Sequence, residues 1–210
     1  VKIIASHGGI DSGPDGSSVQ CIEDLACFRS LPNFVVLCPS DPNEMYQATK
    51  AILLHDGPVY MRTGRSPIEN FYKKNYKFKI GKGHVINQGK EITIFATGIQ
   101  TSIALKAIKI LKNKGINPTL ISMPTIKPID KKIIIKYAKK SKYFISFEDH
   151  SIIGGLGSAI SEVIAEGNFV KLYKLGIKDE IGRSGGADQL RKKFKLDHMH
   201  LVKIVLKLTK

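Results

Sequence analysis

Short apolar runs alternate with stretches of helical periodicity over the first 62 residues of the chain. Apolar residues at helical spacing near 22–28 predict a helix. A second helix is predicted to begin with Ser40 or Asp41 as its N-cap and Pro42 in its first turn. Alternation of this kind indicates a parallel sheet with helices on its faces. The predicted strands are residues 1–5, 34–37 and 59–62.

The pattern breaks at residues 64–78 and then resumes. Apolar positions at helical spacing from 103 to 111 predict a helix that ends at Gly115. The fold class is therefore predicted to be α/β, with two consecutive, mainly parallel, doubly wound units. Residues 1–68 form the first unit, 69–80 a linker and 81–210 the second unit. Its remaining predicted elements are strands at 91–96, 119–122, 143–147 and 170–175, helices near 131–139 and 158–166, and one or two closing helices within 186–208.

The sequence is strongly basic, with a formal net charge of +15. Such a charge favours a nucleic-acid partner, but its distribution argues against one. The excess lies entirely after residue 70, and nearly all of it is lysine in amphipathic helices, as at Lys106, Lys109 and Lys112. Few aromatic residues are interleaved to stack on bases. We therefore predict that these lysines form solvated helix faces and that nucleic acid is not a partner.

The three cysteines Cys21, Cys27 and Cys38 show no paired metal-ligand spacing, which indicates reduced thiols. No apolar stretch approaches the roughly 20 residues that span a bilayer, and no basic region followed by an apolar one opens the chain. We therefore predict a cytoplasmic location and no membrane partner. Because the sequence begins at Val1, it is expected to be either a processed chain or a fragment of a longer one.

The long polar loop at residues 6–18 follows the first predicted strand, where open α/β sheets bind their ligands. It is expected to lack regular structure. It holds His7, Asp11, Asp15 and four glycines. Glycines let the backbone approach a ligand, a histidine can contact a phosphate or carry a proton, and a carboxylate can orient a sugar hydroxyl. The run from Gly13 to Gly16 is also a good turn signal, so these residues alone leave both interpretations open.

The stretch SHGGIDSGPDGSSVQCIED, residues 6–24, resembles the transketolase signature, in which a histidine starts a glycine-rich loop and a helix begins at Gln-x-x-Glu. The resemblance covers practically the whole chain, in order. It is similar to the C-terminal halves of transketolases encoded as two polypeptides. The further matching motifs are RSLPN (29–33), PSDP (39–42), DGPVYMRTGR (56–65), ATG (96–98), TIKPID (125–130) and EDHSIIGGLGS (148–158).

The resemblance implies substrate-binding roles for three residues. His7 matches a histidine that contacts the sugar-phosphate substrate, and Asp15 a carboxylate that binds the hydroxyl next to the reacting carbonyl. Arg65 matches the arginine that grips the terminal phosphate, with Arg62 as the second choice. A guanidinium offers a planar fork to a phosphate, although Arg65 could instead form an ordinary surface ion pair.

Two departures from the family's loop bear on activity. Val19 stands where the family has a second histidine close to the cofactor, and valine can neither donate a hydrogen bond nor move a proton. Pro14 replaces an acidic residue. The resemblance also implies thiamine diphosphate and Mg²⁺, bound mainly by regions outside this chain: an N-terminal domain holds the diphosphate and metal, and an activating glutamate precedes Val1.

Glu148, Asp149 and His150 end a predicted strand before a glycine-rich turn. A histidine flanked by carboxylates could titrate near neutrality, but the resemblance places this motif away from the reacting carbon, so a structural or interfacial role is expected. The remaining histidines show no metal-ligand spacing. They are His55, His84, His198 and His200.

The family resemblance predicts a transferase component that is inactive as this chain alone. It would transfer a two-carbon ketol unit between sugar phosphates in pentose phosphate metabolism. The expected partners are an N-terminal transketolase subunit or domain, a second copy of the assembly in a homodimer, and phosphorylated sugars. The alternatives are a 1-deoxyxylulose 5-phosphate synthase, a 2-oxo acid dehydrogenase beta-type component, and a non-catalytic interaction or regulatory subunit.

Overall fold

Two sheets with helices on their faces make up the part of the chain that the computed structural model describes, residues 1–167 and 169–209. The strands are β1 (Lys2–Ala5), β2 (Val35–Leu37), β3 (Val59–Arg62), β4 (His84–Asn87), β5 (Glu91–Ala96), β6 (Thr119–Ser122), β7 (Thr125–Lys127), β8 (Ser141–Ser151) and β9 (Lys171–Ile177). The helices are α1 (Asp24–Ser30), α2 (Pro42–Leu54), α3 (Ile99–Lys112), α4 (Lys131–Ala138), α5 (Leu156–Ala165), α6 (Ala187–Lys193) and α7 (His198–Leu208).

The first sheet has the order β1-β3-β2-β7. Its first three strands are parallel, and Ala5 lies opposite Arg62, so their carboxyl ends share one edge. The apolar run at residues 1–5 predicts a buried strand, and the structure contradicts the burial. β1 is an edge strand, and Ile3 and Ile4 are 36% and 52% exposed. The fourth strand, β7, was not predicted; it pairs antiparallel with β2 although it belongs to the second unit.

The second sheet has the order β4-β6-β5-β8-β9. All its pairs are parallel except that between β4 and β6. The predicted class, α/β with mainly parallel sheets, is therefore confirmed. The pattern missed two short, partly polar strands, β4 and β7.

Helix α2 begins as predicted. Asp41 is its N-cap, and the Asp41 carboxylate accepts a hydrogen bond from the Glu44 N–H at 2.7 Å. Helix α1 lies where the apolar pattern near 22–28 predicts a helix, but it begins at Asp24 rather than at Gln20, where the family signature starts it. Gly8 and Cys21 instead form an isolated parallel bridge, and the Gly9 N–H donates to the Cys21 carbonyl at 2.7 Å, so Cys21 is not helical.

The two units share buried apolar side chains. Leu25 and Tyr60 of the first unit belong to the same cluster as Phe95 and Phe144 of the second. Ile10, from the loop after β1, is fully buried in a cluster built mainly from the second sheet, α3 and α7. Burial of such side chains is the main driving force for folding, so the units stabilise each other.

The predicted linker has no helix or strand, but it is held to α2. The Asp41 carboxylate accepts from the N–H groups of Phe71 and Tyr72, both at 2.8 Å. The Tyr72 ring stacks on Tyr76 at a centroid distance of 4.1 Å. The boundaries 1–68, 69–80 and 81–210 stay a prediction. Among the described residues, no helix has both the length and the apolar character to cross a membrane.

Candidate functional site

The candidate site lies at the carboxyl edge of the first sheet. The loop at residues 6–18 leaves β1 and the segment 63–68 leaves β3. Because β1 and β3 are adjacent and parallel, these two connections emerge side by side. The Gly8 N–H donates to the Thr63 carbonyl at 3.3 Å and joins them. The fold therefore brings together the two segments that carry the predicted substrate residues.

Asp15 and Arg65 form an ion pair through Oδ2 and Nη1. The same Nη1 donates to the Ser12 carbonyl at 2.9 Å. Both charged side chains keep a large exposed fraction, 37% for Asp15 and 45% for Arg65. A carboxylate and a guanidinium thus lie together where a ligand can reach them.

His7 is half-buried at the start of the loop. Its φ of 63° is left-handed, a conformation uncommon outside glycine. The Ser6 hydroxyl lies 2.8 Å from Nδ1 of the imidazole. The backbone and this hydrogen bond hold the ring at the same edge of the sheet as Arg65.

The loop is packed, which corrects the expectation that it lacks regular structure. Residues Gly13–Asp15 form one turn of 3₁₀ helix, with Pro14 in its first turn. Asp11 and Ser12 are 3% and 0% exposed. Asp11 accepts from the Ser66 N–H at 2.7 Å and hydroxyl at 2.8 Å, and it pairs with Arg191.

Arg191 gave no local sequence signal, since it is one of several cations on α6. Asp11 was visible only as one of two loop carboxylates. Neither was predicted as a site residue.

Arg62, the second choice for the phosphate, is not available at the surface. It is 4% exposed, its Nη1 lies 3.3 Å from Oδ1 of Asp24, and its Nη2 donates to the Asp149 carbonyl. Asp24 also accepts from the Tyr60 hydroxyl at 2.6 Å. Arg62 therefore joins the first sheet to the end of β8. Both of its terminal nitrogens are already engaged, so they are not free to bind a phosphate together.

The side chains of Glu148, Asp149 and His150 tie the second unit to its surroundings. Glu148 accepts from the Leu156 and Gly157 N–H groups at 2.6 and 2.8 Å, at the start of α5. Such a carboxylate stabilises a helix N-terminus. Asp149 accepts from the Ile10 N–H at 3.0 Å, which anchors the glycine-rich loop.

His150 is fully buried between the units. Its Nε2 accepts from the Ala26 N–H at 3.3 Å, and its Nδ1 donates to the Ser151 carbonyl at 2.7 Å. Burial, aided by the positive charge of Arg62, lowers the pKa of His150 to about 4. Burial raises the pKa of Glu148 to about 7 and that of Asp149 to about 6. The histidine is thus neutral at physiological pH and does not titrate near neutrality.

Val19 is 43% exposed just after the 3₁₀ turn. Its backbone N–H donates to Gly16, and its side chain offers no polar atom to a ligand. All three cysteines are free thiols. No group of three or more His, Cys, Asp or Glu side chains within 1–167 and 169–209 is placed to hold a metal ion.

Two cavities open beside the site. One of about 260 Å³ lies between the turn that starts α2 and the segment after β3. Another of about 520 Å³ lies between residues 66–71 and α3, and residues 66–68 line both. The larger one is within the usual range of small-molecule pockets, about 300–1,000 Å³.

A doubly wound α/β frame with polar side chains beyond the carboxyl ends of its strands is typical of a ligand-binding enzyme domain. Two family models define it further. The model described as the transketolase pyrimidine binding domain matches residues 1–69, and the model described as the transketolase C-terminal domain matches residues 81–201. The chain belongs to the transketolase family.

Relatives in this family agree with that assignment. A Methanocaldococcus jannaschii protein, provisionally named a transketolase C-terminal section, is 45% identical over 98% of this chain and 65% of its own length. A 6-deoxy-6-sulfo-D-fructose transketolase subunit of Clostridium sp. strain MSTE9 is 34% identical, over 100% of this chain and 65% of its own. The 1-deoxy-D-xylulose-5-phosphate synthase of Caldanaerobacter subterraneus is 33% identical, over 92% and 32%.

Solved structures give the same result. A structure titled as a split gene transketolase, inactive β4 tetramer, has a TM-score of 0.91 and 38% identity, over 99% of this chain and 66% of that one. The Pichia stipitis transketolase complex with sedoheptulose 7-phosphate has a TM-score of 0.78 and 26% identity, over 97% and 29%. The chain thus spans about 65% of the length of the first two relatives above.

Proposed function

We propose that this chain is the C-terminal component of a thiamine-diphosphate-dependent transketolase. It moves a two-carbon ketol unit from a ketose phosphate to an aldose phosphate, together with an N-terminal partner subunit or domain. Two such assemblies form a homodimer. The observation that carries the proposal is the convergence of Asp15 and Arg65 in one exposed ion pair, at the edge of the sheet that also holds His7.

Each of the three residues has a role suited to its chemistry. Arg65 presents a guanidinium fork to the sugar phosphate, and a hydrogen bond to a charged group contributes about 1.5–3 kcal/mol. Asp15 accepts a hydrogen bond from a substrate hydroxyl. His7 contacts the sugar from the start of the loop. When the phosphate arrives it competes with Asp15 for Arg65, which frees the carboxylate for the hydroxyl.

The described residues do not fit the metal part of the cofactor site. They hold no cluster of metal-ligating side chains, so we assign the binding of Mg²⁺ and the diphosphate to the partner. Thiamine diphosphate, when bound, serves as an electron sink for the transferred unit. In this proposal the chain supplies the residues that bind the sugar. The chain spans about 65% of the length of two relatives, which therefore contain sequence that has no counterpart in it.

The test is reconstitution with the N-terminal partner, thiamine diphosphate and Mg²⁺, followed by an assay of ketol transfer between sugar phosphates. Arg65→Met should raise KM for the phosphorylated donor roughly 10- to 100-fold. Lys50→Met, which removes an exposed cation on α2, is the control and should leave KM unchanged. Absence of transfer in a verified wild-type assembly would refute the proposal.

The synthase and oxo acid dehydrogenase alternatives are separated by the donor. Both reactions use a 2-oxo acid such as pyruvate, and the synthase relative named above shows how close these families are in sequence. Activity with pyruvate and none with a ketose phosphate would favour them. His7 favours the sugar-phosphate donor, because the synthase loop typically starts with an acidic residue there.

A non-catalytic or regulatory subunit is the second candidate, and Val19 is the observation that favours it. The residue lies exposed on the loop, and its side chain has no group able to donate a hydrogen bond or transfer a proton. Val19→His in the reconstituted assembly should raise the rate if this position faces the reaction. No gain, in an assembly that binds its partner normally, would favour the non-catalytic role.

A further inference from the structure

The glycine-rich loop rests on the second unit of the chain. Ile10 is fully buried in the same apolar cluster as Leu190 of α6. A Cβ added at Gly13 would lie 3.1 Å from the Gly185 carbonyl oxygen, so the two backbones are in close contact. The segment 182–191, which leads into and includes most of α6 in the second unit, therefore packs directly beneath the loop.

Polar contacts fasten this segment to the loop. The Gln20 side-chain amide donates to the Arg183 carbonyl at 2.8 Å. Asp11, which is 3% exposed, pairs with Nη2 of Arg191. Asp11 also accepts from the N–H and hydroxyl of Ser66. One buried carboxylate thus connects the loop, the segment that carries Arg65 and helix α6.

We propose that Asp11 and Arg191 are positioning residues for substrate binding. Their ion pair fixes the loop that carries His7 and Asp15 relative to Arg65. This inference rests on the proposed function, since it names what holds the sugar-binding groups in register. Neither residue has a predicted contact with the sugar; each acts through the loop.

The composition of the loop explains why it needs a stabilising contact of this kind. Four glycines give its backbone many alternative conformations, and the productive one has to be selected by contacts from outside. A misplacement of about 1 Å in a binding group can lower kcat/KM about 100-fold. A charge-assisted contact to a buried carboxylate is a strong way to prevent it.

The first test is kinetic and uses the chain reconstituted with its N-terminal partner, thiamine diphosphate and Mg²⁺. Asp11→Asn preserves the shape and an acceptor for Ser66 but removes the charge that faces Arg191. We expect KM for the phosphorylated donor to rise about 10-fold or more, with kcat within about threefold. Arg191→Met removes the same ion pair from a surface helix and should give the same change, and the double variant should be no worse than either single one.

Asp188→Asn is the matched control. Asp188 contacts the same guanidinium at 2.8 Å but is 90% exposed, so its loss should change KM less than twofold. An unchanged KM in both Asp11→Asn and Arg191→Met would overturn the proposal. So would a fall in kcat alone, because that would place the residues in the chemical step.

The second test does not depend on activity. Hydrogen exchange at the amides of Gly13, Gly16 and Gln20, measured on the full chain, should be at least 10-fold faster in Asp11→Asn and Arg191→Met than in Asp188→Asn. Equal exchange rates in all three variants would contradict the proposal that the Asp11–Arg191 ion pair holds the loop in place. If the wild-type assembly shows no ketol transfer while the exchange rates differ as expected, the proposed function is wrong, but the ion pair of Asp11 and Arg191 still holds the loop in place.

Discussion

Replacing Asp24 by alanine removes the carboxylate that faces Arg62 inside the molecule. The side chains of Arg62 and Asp24 are 5% and 3% exposed, with Nη1 and Oδ1 3.3 Å apart. The Tyr60 hydroxyl would lose its acceptor as well. The variant therefore leaves a buried guanidinium without its carboxylate partner and a phenol without its hydrogen bond.

Breaking a buried ion pair by removing one partner costs about 3–5 kcal/mol, because the remaining charge stays out of water. With a urea dependence of about 2 kcal/mol per M, the unfolding midpoint of Asp24→Ala should fall by about 1.5–2.5 M. The assay is urea unfolding followed by far-UV circular dichroism. Asp24→Asn keeps an acceptor for Tyr60 and should lose less.

Glu162→Ala provides the comparison. Glu162 also pairs with an arginine, Arg29, at 2.7 Å, but it is 66% exposed. Exposed pairs contribute about 0–1 kcal/mol. If Asp24→Ala is no less stable than Glu162→Ala, the argument that Asp24 compensates a buried charge is wrong.

Two further changes test buried polar groups. Burial raises the pKa of Glu44 from 4.5 to about 7. Between these two pH values the carboxyl group is protonated in the folded chain but ionised in the unfolded chain. The stability of the wild type relative to Glu44→Gln should therefore fall by roughly 3 kcal/mol as the pH rises from 4.5 through 7, measured by urea unfolding at pH 4.5 and 8. Gln100 is fully buried, and neither its amide nitrogen nor its oxygen has a hydrogen-bond partner among the described residues. Gln100→Met should then raise stability by about 1 kcal/mol, and a loss instead would show that the amide is satisfied.

Local signals predicted the elements that depend on local chemistry. The Asp41 cap of α2 and the apolar run of β5 could be placed because the determining residues are adjacent in sequence. The pattern gave no account of β7, three residues long, because its strand partner β2 lies about 90 positions earlier along the chain. Strand pairing between residues so far apart produces no periodic pattern of apolar positions in the local sequence.

The candidate site divides in the same way. The family motif predicts His7, Asp15 and Arg65 as site residues, and the fold brings Asp15 and Arg65 into contact. The resemblance ranked Arg65 ahead of Arg62, but the burial of Arg62 could not be predicted from sequence, since it depends on Asp24 and Asp149, which come from distant elements. The role of Arg191 was hidden for the same reason, because nothing near it in the chain indicates a partner at position 11.

Strand β7 also bears on how genes in this family can be divided. It belongs to the segment matched by the C-terminal domain model, residues 81–201, but it pairs in the sheet of the segment matched by the pyrimidine binding domain model, residues 1–69. There it covers the backbone edge of β2. A break in the coding sequence between these two segments would separate β7 from the other three strands of its sheet and leave the edge of β2 unpaired, and an unpaired strand edge is a template for aggregation. Gene fission and domain shuffling are therefore disfavoured at this junction, and the two segments are expected to be inherited as one unit.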